Sequence, residues 1–143
     1  MVGNHDAHGK SFSLLYSPDT HRAALAPAYD ILCTVAYRND KPMSRKMAMK
    51  TGGEYRPDWV RSRHLAGFFG DAKLGPAASR RRLHALALEA PSRAVEVRSG
   101  LAAEGWDADV LAVIEHVVRE RSRLLVAITA PIPVASRRAP TTR

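Results

Sequence analysis

The densest run of chemically capable side chains lies at the start of the chain: Asn4-His5-Asp6-Ala7-His8-Gly9-Lys10-Ser11. It leads straight into the apolar segment Phe12-Ser13-Leu14-Leu15-Tyr16, which reads as a strand closed by the turn signal Ser17-Pro18-Asp19. A polar loop feeding a strand can hold the aspartate that accepts a substrate hydroxyl proton in phosphoryl transfer, with a metal-binding residue five positions on. Asp6 and Ser11 have that separation. A second metal carboxylate is expected past the following hairpin, and Ala26-Pro27-Ala28-Tyr29-Asp30 supplies Asp30. Loop, strand, turn, strand and aspartate would then gather two carboxylates around a cation that neutralises a triphosphate.

The elements that must position these groups divide into two parts. In the first third, Arg22 to Ala26 is a second short strand, stopped by Pro27. Tyr29 to Tyr37 is ambiguous between helix and strand, and Lys46 to Lys50 reads as a strand or extended loop ending in a turn at Gly52-Gly53. From residue 57 the pattern is helical. Pro57 opens a first helix with Asp58 in its first turn and Trp59, Ala66 and Phe69 on one side, and Gly70 ends it. Ser79 caps a second helix, with Leu83, Leu86, Ala87 and Ala90 inward, and Pro91 breaks it; Ser92 to Ala103 forms a third. The fourth starts at the cap Asp107 and buries Val110, Ile114, Val117, Leu124, Leu125 and Ile128, with Glu115 and Arg119 placed to pair across one turn. The expected fold is mainly α with a small N-terminal β hairpin.

Composition narrows the class of function. The 143 residues are room for one domain, here residues 1–130, with 131–143 expected to be a disordered tail. Lys and Arg number 22 against 14 Asp and Glu, a net charge of +8 spread along the chain, which favours an acidic partner. The single cysteine excludes a disulfide framework and a cysteine zinc cluster, and Cys33, among Ile31, Leu32 and Val35, is expected to be a small buried hydrophobe. Leu124 to Ala135, the longest apolar run, is interrupted by Pro131 and Pro133 and is too short to span a bilayer. With no targeting peptide expected after Met1, the location is expected to be cytoplasmic.

Three blocks carry a resemblance: Gly3 to Tyr16, then Leu25 to Thr34, then Met47-Ala48-Met49-Lys50-Thr51-Gly52-Gly53-Glu54. In this order they resemble the C-terminal part of HipA-like serine/threonine kinases, the toxin components of bacterial toxin–antitoxin modules. The resemblance covers roughly the first 54 residues; the helical remainder suits a kinase C-lobe without a sharp motif of its own. It implies ATP and Mg²⁺ as cofactors, transfer of the γ-phosphate to a protein serine or threonine, and a helix-turn-helix antitoxin partner that binds operator DNA. Asp6 matches the catalytic base, and Lys10 could face the transferred phosphate. Asp30 matches the metal-binding aspartate; His8 and Asp30 are the candidate cofactor-binding residues, His8 and Asn4 chiefly by shaping the loop. Ser11 stands where the family has its metal-binding asparagine, a departure expected to weaken metal binding, because the shorter hydroxyl would reach the ion through water.

Only five residues precede Asp6, so the phosphate-covering loop, the ATP-anchoring lysine and the adenine hinge have no counterpart in this sequence. The expectation is a C-lobe fragment, inactive alone, that needs an N-lobe in trans. The competing expectation is a non-catalytic binding module or remnant that docks an antitoxin or nucleic acid. A metal site built from His5, His8, His21, Asp6 and Asp30 is a weaker alternative, lacking a helical His pair. His64, His84, His116 and the run Arg80-Arg81-Arg82 are expected to be solvated helix surface.

Overall fold

The computed structural model describes residues 2–37 and 46–130. The strands are β1 (Leu14–Tyr16) and β2 (Ala23–Leu25), an antiparallel pair in the register Leu14 to Leu25, Leu15 to Ala24 and Tyr16 to Ala23. The Ser17 turn closes as its residue types require. The Ser17 backbone N–H donates to the Arg22 carbonyl (3.0 Å), and the Ser17 hydroxyl accepts from the Thr20 N–H (3.3 Å). The hairpin is exposed on every strand position, so Leu14, Leu15, Tyr16 and Leu25 are unshielded by the rest of the described chain. Tyr29 to Tyr37 forms neither helix nor strand, and Lys46 to Lys50 is irregular rather than a strand. Gly52 and Gly53, both at positive φ, make the expected turn, bridged by Thr51 and Glu54.

Three α-helices follow: α1 (Ser62–Asp71), α2 (Pro76–Ala103) and α3 (Ala108–Thr129). The first helix starts later than its sequence indicates. Pro57 to Trp59 forms a separate 3-10 turn, and Trp59 lies outside α1, stacked beneath the Arg56 guanidinium at 3.2 Å. Ala66 is exposed, and the buried residues of α1 are Leu65 and Phe69. His64 is not merely solvated surface: its Nδ1 accepts from the Arg61 N–H (3.1 Å) at the start of α1.

The second correction concerns α2. It is one helix of 28 residues, begun by Gly75 and Pro76, so Ser79 is no cap and Pro91 does not end it. A proline at the first helical position forgoes an amide that needs no partner there. At Pro91 the cost of the missing donor is borne by packing, since α2 and α3 form the most extensive interface of the described chain. The Ser92 hydroxyl also donates to the Glu89 carbonyl (2.8 Å) in the disturbed turn, and Arg93 pairs with Glu89 and Glu96.

The cap of α3 is as expected: one carboxylate oxygen of Asp107 accepts from the Asp109 N–H (2.9 Å) and the Val110 N–H (3.0 Å). Its buried face is turned from the expected one. Leu111, Glu115, Val117, Val118, Ser122 and Thr129 are buried, whereas Val110 and Leu124 are exposed. Only Val117 is common to both sets. The stripe Leu111, Glu115, Val118, Ser122 and Thr129 has helical spacing but three polar members, which a hydropathy reading cannot see.

Glu115 and Thr129 are held by side-chain partners. Glu115 accepts from Arg98 of α2 (2.6 Å) and pairs with Arg119 on its own helix, as the one-turn spacing predicts. These bonds hold its carboxyl below the ordinary carboxylate value, the Arg98 hydrogen bond being the largest cause and the Arg119 charge adding to it. The Thr129 hydroxyl donates to the Leu125 carbonyl and receives His84 Nδ1 at 2.9 Å. Arg80 closes the same end by donating to the carbonyls of Ile128 (3.2 Å), Thr129 (3.1 Å) and Ala130 (2.9 Å). Arg80 and His84 are therefore α2–α3 joints, not the solvated surface their charge implies. Arg81, Arg82 and His116 are exposed as expected. No helix among the described residues is long and apolar enough to cross a membrane. Residues 131–143, expected as a tail, lie outside the described residues.

Candidate active site

Three separate segments meet at the backbone of His5, the residue before Asp6. Its N–H donates to the Thr34 hydroxyl (3.2 Å), and its carbonyl accepts from the Ala48 N–H (2.8 Å). The Thr34 hydroxyl donates in turn to the Gly3 carbonyl (2.8 Å). All three sequence blocks thus meet at a single junction: Gly3 and His5 from the first, Thr34 from the second, Ala48 from the third.

Gly3 is held against the helical body. It has φ +76, and a Cβ there would come within 2.9 Å of Val117 Cγ1 on α3 and 3.2 Å of Val35. Only glycine takes this backbone without strain and allows so close an approach. Cys33, beside it, is buried as expected. Gly52 plays a comparable part at α1, where its Cβ would overlap the His64 carbonyl oxygen.

Asn4 links the two candidate carboxylate residues. Its side-chain carbonyl accepts from the Asp6 N–H (3.0 Å), and its amide group donates to the Asp30 carbonyl (2.8 Å). Asp30 adopts φ +55, a left-handed conformation that aspartate tolerates better than most residues. Asp6 and Asp30 are both exposed, which leaves carboxylates free to meet a ligand from solvent. A cleft of about 340 Å³ opens at Asp30, with Asn4, Ser11 and Tyr29 also in its wall. Asp6, His8 and Lys10 are not among the lining residues.

The rest of the loop is braced from the Asp30 side. Gly9 to Ser11 forms a 3-10 turn, and the Ser11 hydroxyl lies 3.3 Å from His8 Nδ1. This contact links the His8 ring to the turn that carries Ser11. The Tyr29 hydroxyl donates to the Lys10 carbonyl (3.1 Å) and meets the Ser13 hydroxyl (2.7 Å). With its one proton given to Lys10, Tyr29 accepts from Ser13. The Lys10 side chain itself is exposed.

Asp30 and Ser11 offer hard oxygen donors on one cleft, a set that suits Mg²⁺, which takes one or two carboxylates and fills its remaining positions with water and substrate phosphate. The alternative His-rich centre is not assembled: among the described residues, no three of His, Cys, Asp or Glu are grouped to hold a metal ion. Residue type and spacing alone do not single out Tyr29, Ser13, Thr34 or the Ala48 amide. Tyr29 and Thr34 flank Asp30 in sequence, and only the hydrogen bonds reveal their work.

The model of the HipA-like C-terminal domain matches residues 1–97. Two curated relatives from Sinorhizobium fredii (strain NBRC 101917 / NGR234) are similar to this chain. The one named Putative kinase Y4mE is 39% identical over 104 residues, 71% of this chain and 24% of its own length. The one named Putative kinase Y4dM is 51% identical over 37 residues, 26% of this chain and 9% of its own length. The chain thus spans about a quarter or less of the curated relatives it matches. No solved structure matches it. The loop of Asp6, the segment of Asp30 and the segment of Ala48, joined through His5, lie within the matched residues, and the chain belongs to the HipA-like C-terminal domain family.

Proposed function

We propose that this chain is the C-lobe part of an ATP- and Mg²⁺-dependent serine/threonine protein kinase, carrying the catalytic base and one metal-binding carboxylate. The observation that carries this reading is the Asn4 side chain, which bonds the backbone of Asp6 and of Asp30 at once and so couples the two carboxylate residues. Asp6 takes the proton from the substrate hydroxyl as its oxygen attacks the γ-phosphorus and ADP departs. Asp30 and Ser11 would hold Mg²⁺, which when bound neutralises charge on the phosphates. Lys10 adds a positive charge near the transferred group. His8 keeps the Ser11 hydroxyl in place.

Phosphoryl transfer also requires a loop over the phosphates and a lysine that anchors them. These come from further polypeptide, in the same protein or in trans, and the curated relatives have ample additional length for it. The partner in this reading is a helix-turn-helix antitoxin that binds operator DNA, and the site of action is the cytoplasm. The test is transfer of labelled γ-phosphate to protein serine or threonine by the protein purified from its native genomic context. Asp6→Asn and Asp30→Ala should each abolish labelling. Labelling that survives both, or none from the unmodified protein, overturns the reading.

Ser11 supports a second reading, a non-catalytic module that docks a partner, because its hydroxyl is short and already engaged with His8. Ser11→Asn separates the two: a rise in labelling favours the weakened kinase, and no change favours the module.

A further inference from the structure

We propose that Thr34 is a positioning residue whose hydroxyl fixes the Asp6 loop against the segment bearing Asp30; the proposal rests on the kinase reading above. Asp6 is exposed, and its own backbone N–H is committed to Asn4, so its location is set largely by the residue before it. Both backbone polar groups of His5 are taken, by Thr34 and by Ala48.

The Thr34 hydroxyl is well suited to this task. It has one proton and two lone pairs, so it can donate to the Gly3 carbonyl and accept from the His5 N–H together. Thr34 is 7% exposed, so water competes little for either bond. It lies four residues after Asp30, on the same irregular segment, and the loop it holds begins at Gly3, seated on α3 through Val117. One side chain therefore ties together the helical body, the proposed base loop and the proposed metal segment. A valine there has nearly the same shape and neither bond. Phosphoryl transfer depends on placement, and misplacing a group by about 1 Å can cost about 100-fold in rate.

The test combines amide exchange by NMR on this chain with phosphate transfer by the native protein, using Thr34→Val and Thr34→Ser. The His5 amide should be protected in the unmodified chain and exchange about tenfold faster or more in Thr34→Val, while Val118 in α3 is unchanged. In transfer, Thr34→Val should lower kcat about 100-fold with KM for ATP nearly unchanged. Thr34→Ser should restore both readouts. An unprotected His5 amide in the unmodified chain overturns the proposal without need of a variant. So does loss of Val118 protection together with His5 in Thr34→Val, which marks a general structural role, or a kcat loss that serine does not rescue. Native protein that transfers no phosphate, with His5 protection lost in valine and restored in serine, refutes the kinase reading and supports the clamp.

Discussion

Pro91→Ala distinguishes the continuous α2 from the two shorter helices implied by a proline in the middle. Pro91 lies deep inside the helix, and its ring nitrogen cannot donate to the carbonyl four residues back, that of Ala87, which is 1% exposed. A proline in a helix interior is about 3 kcal/mol less favourable than alanine. Proline also stiffens the unfolded chain, and replacing it returns about 1 kcal/mol of that advantage. The net expectation is a gain of about 2 kcal/mol. Unfolding entropy of about 2.1 cal/mol/K per residue over 143 residues is about 0.3 kcal/mol/K, so Tm should rise by about 7 °C. Thermal unfolding followed by circular dichroism, with urea denaturation alongside, reads both quantities. An unchanged or lower Tm refutes the reasoning, because alanine gains nothing where proline stands at the start of a helix.

Further expectations rest on single contacts. Asp107→Ala removes both cap bonds of α3 and should cost about 1 kcal/mol in urea denaturation, while Asp107→Ser should recover most of it. Gly52→Ala places a Cβ against the His64 carbonyl at φ +53, and should destabilise by about 2–4 kcal/mol through strain and displacement of the turn. Glu115 has its pKa lowered from 4.5, chiefly by the Arg98 hydrogen bond. Its contribution to stability is therefore full above that value and lost as the pH falls through the lowered one. Stability measured from pH 6 to pH 3 should show an acid-side fall that is shallower in Glu115→Gln.

Much of the local structure was legible because single residue types dictate it. Ser17-Pro18-Asp19 turns the chain, Asp107 caps α3, and paired glycines make a turn. The helical half departs from its sequence pattern where tertiary contacts outweigh local preference. Pro91 is a helix breaker by propensity, yet α2 runs through it against α3. The buried stripe of α3 is hidden in the sequence because Glu115, Ser122 and Thr129 interrupt the apolar pattern. Arg80 and His84 read as surface by charge and serve as joints by geometry. At the site, Asp6, Ser11 and Asp30 stood out by type and order. Thr34 and Tyr29 did not, because hydroxyls that brace a loop are ordinary residues until their partners are known.

Calorimetric titration of ATP with Mg²⁺ into the protein purified from its native genomic context, beside Asp30→Ala and Asp6→Asn, tests the central claim most directly. The kinase reading predicts Mg²⁺-dependent heat that Asp30→Ala removes and Asp6→Asn leaves intact, since Asp30 holds the metal and Asp6 acts on the substrate hydroxyl. Binding that ignores Mg²⁺, or that persists in Asp30→Ala, would contradict it.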